Sequence, residues 1–492
     1  MTAIIQQLIK CSKIDLPKIY DKCQRYLCQL LLVLIFWSIV WSIYGQPALP
    51  PNGHLYHLIL LFTLSCICGK LCKLVACPPL FGSLIVGFLY GNLLSVELDN
   101  QLCSVLRSAS LVSVLLEAGL ELDPKVIRKL SFVALRMAFV PMMVEVVAIT
   151  FATYWLIQFP IKWGFLLGFV LAAASPAIVV PGMLNLQKRQ LGVDKGIPTL
   201  VIAAASIDDI LAITGFSICL GQVFTSNESL AWTVLKGPVE AVAGALIASA
   251  IGVLLWYIPN KDESKLERII LLIMSGVAAM FVSQSLGLES FGTIACITLA
   301  FVAALKWRDT GRDRPVLATL KVSWSVFEPL LFALIGYQVK IADLQSNAIG
   351  LAVLALIIAL VLRTVSSMLV IIGANLNLKE KIYVSIAWTP KATVQAAIGS
   401  VALDLARQRG NDPQLIEFGT FVLTVSVLSI LITAPLGAIW ISFMGSRCLK
   451  VAVPSAVVES IEIHDRGDVV VVSAAVGGGA TVSDQTVDLK TQ

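Results

Sequence analysis

Beginning at Leu27, the chain is one apolar stretch after another, each near the length that crosses the ~30 Å hydrocarbon core of a bilayer and each set off by a polar connection. Water is absent at that depth, so a crossing segment must satisfy its own backbone N–H and C=O groups, and these stretches read as helices. The stretches run approximately 27–44, 55–69, 78–94, 102–121, 132–157, 163–186, 198–221, 230–257, 268–285, 290–306, 318–339, 347–373, 379–403 and 415–443. The expected fold is therefore all-α and membrane-embedded, with about 14 transmembrane helices. Composition agrees: 58% of residues are hydrophobic and 14% charged, against the roughly 25% charged residues of soluble domains. The net charge of +5 gives no reason to expect a nucleic-acid partner. Eleven cysteines are scattered without paired CxxC spacing and read as small core residues rather than metal ligands or disulfides.

Residues 1–26 carry Lys10, Lys13, Lys18, Lys22 and Arg25 and read as a cytoplasmic segment leading into an extra first helix, 27–44, kept as a signal anchor. Alternating the connections from there concentrates lysine and arginine on one side. The outer loops hold only Lys162, Lys340, Arg407 and Arg409, and such asymmetry marks the basic side as cytoplasmic. Both termini then lie in the cytoplasm. An N-x-S sequon at Asn227 falls in an outer loop and is a candidate glycosylation site. Arg107, Arg136, Lys236 and Lys321 stand near segment ends and are expected to snorkel. Residues 446–492 carry no motif and are expected to be a flexible cytoplasmic tail.

Two segments contain backbone breaks. The sixth reads LAAASPAIVVPGML, with Pro176 and Pro181, and the thirteenth SIAWTPKATVQAAIG, with Pro390. They are seven segments apart, so they cross the membrane in opposite directions. Segments four and eleven carry the weakly similar AGLEL and IGYQV, and segments five and twelve each carry one deep charge, Glu145 and Arg363. This pattern predicts an antiporter-type domain over 55–445 built from two inverted six-helix repeats, about 55–221 and 268–443, whose broken helices cross. Proline unpairs backbone groups at membrane depth, which is tolerated around a cavity. Half-helix ends of like polarity would meet there, and Lys391, directly after Pro390, is placed to offset them. Glu145 and Arg363, each too deep for easy snorkelling, are expected to pair.

The seventh segment contains ASIDDI, two adjacent carboxylates at mid-membrane depth. Intramembrane acids are costly and point to function. Asp208 and Asp209, with Ser206, Ser175 and Thr393 and the loosened backbone around Pro176, Val179 and Pro390, form a hard-oxygen set suited to a small hard cation or to protons. Two neighbouring carboxylates cannot both ionise cheaply in a poorly solvated cavity, so the pair should titrate as a unit and protons should compete with the cation. An intramembrane aspartyl protease would need its aspartates on different helices and a GxGD-type loop, which are lacking. An enzymatic role is not expected.

Together SPAIVVP, ASIDDI and AWTPKATVQAA resemble the Na+/H+ exchanger-like domain proteins of the animal NHA branch of monovalent cation/proton antiporters, over about 55–445, and AGLELD agrees with the wider family. The resemblance implies an NhaA-like fold and exchange of Na+ or Li+ for H+ by alternating access. It implies Asp209 as principal ion ligand beside Asp208, Lys391 on the second crossing helix and a buried Glu145–Arg363 pair. It also implies a homodimer with a dimer domain and a moving core, in a lipid bilayer, with no cofactor. The plasma membrane is the favoured location, with endomembrane or mitochondrial membrane as alternatives. Bacterial relatives have lysine where this chain has Arg363, which leaves charge stoichiometry open. A proton-coupled anion symporter of the same fold is the alternative, and retention of Asp208 favours the cation.

Overall fold

The computed structural model describes residues 16–74, 77–94, 96–122, 132–224, 230–259, 264–340, 346–374, 376–409, 412–451, 459–463 and 469–473. Its helices are α1 (Leu16–Tyr44), α2 (His54–Leu74), α3 (Pro79–Leu93), α4 (Asn100–Glu121), α5 (Phe132–Ile157), α6 (Ile161–Ala172), α7 (Pro176–Lys188), α8 (Ile197–Val223) and α9 (Leu230–Leu254). They continue with α10 (Lys265–Ser285), α11 (Glu289–Trp307), α12 (Asp313–Gln338), α13 (Ser346–Val370), α14 (Leu378–Ala387), α15 (Thr393–Gly399), α16 (Val401–Gln408) and α17 (Pro413–Cys448). Twelve helical spans among the described residues are long and apolar enough to cross a membrane, α6 and α7 counting as one. The shorter α3 and the three pieces α14–α16 account for the remaining two segments of the sequence reading.

Local chemistry sets several starts. Asp99 accepts from the N–H groups of Gln101 at 2.8 Å and Leu102 at 3.1 Å to open α4, and Asp412 accepts from Gln414 N at 3.0 Å to open α17. Asn377 and Glu380 form a capping box on α14. Proline opens α3, α7, α8 and α17, where its missing donor costs nothing.

The packing has an internal symmetry. α3 lies along α12 as α11 lies along α4; α2 packs on α3 as α10 packs on α11; α8 touches α5, α6 and α7 as α17 touches α13, α14, α15 and α16. Exchanging the first six segments after α1 for the last six thus maps these main contacts onto one another. In that pairing α5 meets its counterpart α13, and α4 meets α12. One group of helices is α2–α4 with α10–α12, and the other is α5–α8 with α13–α17. The groups meet where α8 crosses α11 and where α15 lies against α4 and α12.

Three boundaries differ from the sequence reading. α1 begins at Leu16, so Lys18, Lys22 and Arg25 continue the helix rather than precede it. The last helix runs on to Cys448, and beyond it Gly192 N donates to Lys450 O at 2.9 Å while Leu191 bridges Val451. Within the expected flexible tail, β1 (Glu459–Ile463) pairs antiparallel with β2 (Val469–Ser473), where alternating ESIEI meets a valine run.

Candidate ion site at the crossing of two broken helices

Ser175 N donates to Pro390 O at 2.8 Å, and the Ser175 and Thr393 hydroxyls lie 3.0 Å apart, so the breaks at 173–175 and 388–392 touch. Pro181 sits inside α7 and does not break it. Close approach requires glycine at two places. A Cβ at Gly168 would stand 2.8 Å from Val146 O, so glycine lets α6 close on α5 beside Glu145, and a side chain at Gly437 on α17 would collide with the Pro390 ring.

At the crossing, α6 ends with Ala172 O unpaired within its helix. Two cations face it: Arg363 Nη1 from α13 and Lys391 Nζ, the latter at 3.3 Å. This is the electrostatic preference of a helix C-terminus for positive charge. The same two cations converge on one carboxylate, with Glu145 Oε2 2.5 Å from Arg363 Nη1 and 2.8 Å from Lys391 Nζ. Arg363 Nη2 then reaches Asp208 Oδ2 at 2.9 Å, and that oxygen also accepts from Ala174 N at 2.9 Å in the break. Glu145, Asp208, Arg363 and Lys391 are all fully buried. Two acids and two bases balance.

Asp209 differs from its neighbour. Consecutive helix positions point about 100° apart, and the turn that aims Asp208 at Arg363 aims Asp209 away. Asp209 is 6% exposed, and its Oδ1 is buried without a hydrogen-bond partner. It is the carboxylate left over after the cluster is balanced. One oxygen each of Glu145 and Asp208 is likewise unpartnered.

The other sequence candidates fall as follows. The Ser175 and Thr393 hydroxyls are bonded to each other and tie the breaks together. Pro176 is the first residue of α7. Val179 is fully buried one turn in, its N–H taken by Ser175 O at 3.0 Å. The side chain of Ser206 and the whole of Asn227 lie outside the described residues. Lys391 does more than face a helix end, because it is a full member of the ion cluster. Sequence reasoning missed Gln395, whose amide donates to Val170 O at 3.0 Å and Ala173 O at 2.8 Å, and Thr433, which accepts from Lys391 N at 2.8 Å. Gln395 had a signal, a deep amide one turn after Lys391 in an apolar run. Arg107 was misread as snorkelling. It is 2% exposed and bonded to Asp404.

A family model described as the transmembrane sodium/hydrogen exchanger matches residues 58–446. Sodium/hydrogen exchanger 9B2 of Homo sapiens is 43% identical over 438 residues, spanning 87% of this chain and 81% of that protein. Sodium/hydrogen exchanger 9B1 of Homo sapiens is 38% identical over 436 residues, spanning 85% and 82%. Among solved structures, the sodium proton antiporter MjNhaP1 from Methanocaldococcus jannaschii superimposes with a TM-score of 0.65 at 16% identity, covering 80% of this chain and 98% of that one. That likeness is one of fold.

Proposed function

The chain belongs to the sodium/hydrogen exchanger family, and from that premise we propose that it exchanges Na+ or Li+ for H+ at Asp209 by alternating access. The observation that carries this reading is charge balance. Glu145 and Asp208 are neutralised by Arg363 and Lys391, whereas among the described residues no countercharge is bonded to Asp209. A buried carboxylate in that position must take up something positive, because an unpaired charge at low dielectric is expensive. A proton and a small hard cation are the two candidates, and one carboxylate cannot hold both. Exchange then needs no further coupling device. Asp208, held by Arg363 and Ala174 N, contributes its unpartnered Oδ1 as a second oxygen to the cation. One labile carboxylate exchanges one cation for one proton, so the cycle moves no net charge.

Proteoliposomes test this. A Na+ gradient should drive proton movement that is indifferent to membrane potential and to chloride. Lowering pH should raise the apparent KM for Na+, by up to ~tenfold per pH unit for one competing proton, while the rate at saturating Na+ changes much less. A chloride requirement would favour anion symport, and a rate that falls at saturating Na+ with KM unchanged would remove the shared site.

The multi-pass membrane location follows from the helices. We place both termini in the cytoplasm, the 225–229 loop with Asn227 outside, and a homodimer in the plasma membrane. An epitope inserted at 225–229 should lie on the opposite side of the membrane from a C-terminal tag. Finding both on one side would overturn the orientation.

A further inference from the structure

Asp404 lies on α16, the last piece of the broken thirteenth segment, and Arg107 on α4, in the other group of helices. Arg107 Nε donates to Asp404 Oδ2 at 2.9 Å and Nη2 to Oδ1 at 2.5 Å, a two-pronged pair in which the arginine is 2% and the aspartate 11% exposed. Such fork-on-carboxylate pairing is the strong and directional kind. Gln338 of α12, with its amide oxygen turned toward Arg107, accepts at 2.9 Å, and Gln408 of α16 donates to Ser104 of α4 at 3.2 Å. The bonds of Arg107 to Asp404 and of Gln408 to Ser104 staple the two helix groups at the end where α4 begins, while Gln338 steadies Arg107 from within its own group.

Two adjoining cavities border the staple, sharing Ser104, Ser108 and Asp404 in their walls. An open cleft of about 380 Å³ is lined by Asn100, Gln101, Ser108, Asp404 and Arg407. The second, of only about 30 Å³, is lined by Arg107, Ser400 and Asp404 together with apolar Leu111, Met280 and Ala397, room for little more than a water or two. Ala397 is one turn beyond Thr393 at the helix crossing, so this pocket reaches α15 one turn from the crossing. The Ser400 hydroxyl is buried there without a partner. The Arg107–Asp404 pair therefore stands between the open cleft and the α15 backbone that leads to the crossing.

We propose that this pair is the external gate: it holds the two helix groups together while the site is closed to the outside, and it parts for the site to open outward. Both residues act on transport through position, without touching the ion. The inference rests on alternating access at Asp209, and its test is built to fail separately from that reading.

A cysteine at Ser400→Cys reports the opening. In proteoliposomes its labelling by a membrane-impermeant thiol reagent, added at the face bearing the 225–229 loop, is compared with the parent chain to subtract native cysteines such as Cys103. Asp404→Asn should raise labelling ~tenfold, equivalent to about 1.4 kcal/mol removed from the closed state. It should also lower the KM for Na+ presented from that face. Arg107→Lys, which keeps charge and loses the fork, should raise labelling less. Arg107→Asp combined with Asp404→Arg should return it toward the parental rate. Unchanged labelling in both Asp404→Asn and Arg107→Lys would overturn the gate. If Asp404→Asn fails to fold, the lysine variant decides by itself. Labelling does not depend on which ion is carried, so a parent that exchanges no Na+ or Li+ would refute the site reading while the gate is judged by accessibility.

Discussion

Asp209→Asn is expected to eliminate Na+-driven proton movement and to leave the protein as stable as the parent, or slightly more so. The amide is nearly the same shape, but it neither exchanges a proton in the working pH range nor offers a full negative charge to a cation. Its effect on stability is small because nothing is stranded: among the described residues Asp209 has no ion-pair partner to leave behind, and neutralising an unpaired buried carboxylate relieves a desolvation cost. Asp208→Asn should behave differently. It keeps an oxygen for Ala174 N but deprives Arg363 of one of its two anions, so melting temperature should fall along with rate. Proteoliposome flux and thermal melting in detergent, measured on both variants, separate the two aspartates. Flux with normal Na+ dependence in Asp209→Asn would sink the shared-site mechanism, and equal melting shifts in both variants would show that the charge cluster has been misassigned.

That contrast marks where the sequence stops being informative. The helices were legible because a lipid-facing segment is apolar nearly all round and must close its own hydrogen bonds, so length and hydropathy suffice to find it. The breaks were legible because proline deletes a donor at a known position, and the opposed directions of segments six and thirteen follow from counting. Which of two adjacent aspartates is paired was not legible. It depends on how α8 is rotated about its axis against α13, and a rotation of one residue's angle exchanges their roles. Lys391 likewise reads as a charge beside a helix end, and only the packing of α5 against α6 brings Glu145 within 2.8 Å of it. Arg107 was misread for the same reason. Near a segment end, a charge reaching for water and a charge reaching for Asp404, 297 positions away, have the same local sequence.

The second large effect is expected in the charge cluster. Glu145 is the hinge of that cluster, since Oε2 serves both Arg363 and Lys391 while all three are fully buried. Glu145→Gln leaves two cations facing one remaining partner, Asp208, and Arg363→Ala leaves two anions sharing Lys391. Breaking a buried pair from one side typically costs about 3–5 kcal/mol because the other charge cannot reach water, and at membrane depth escape is harder still. Either single variant should therefore lower the melting temperature sharply and reduce the amount of assembled protein, in addition to slowing transport. Combining Glu145→Gln with Arg363→Ala removes one charge of each sign and restores the balance between Asp208 and Lys391. The double variant should be more stable than the sum of the two losses by roughly 0.5–3 kcal/mol, the range of coupling for residues in one network. It should not regain full activity, because Asp208 would then lose the guanidinium that holds it and with it the fixed oxygen beside Asp209. Additive destabilisation in this cycle would mean that the two side chains do not share a charge balance, and the assignment of Asp209 as the carboxylate left unbalanced at this crossing would fall with it.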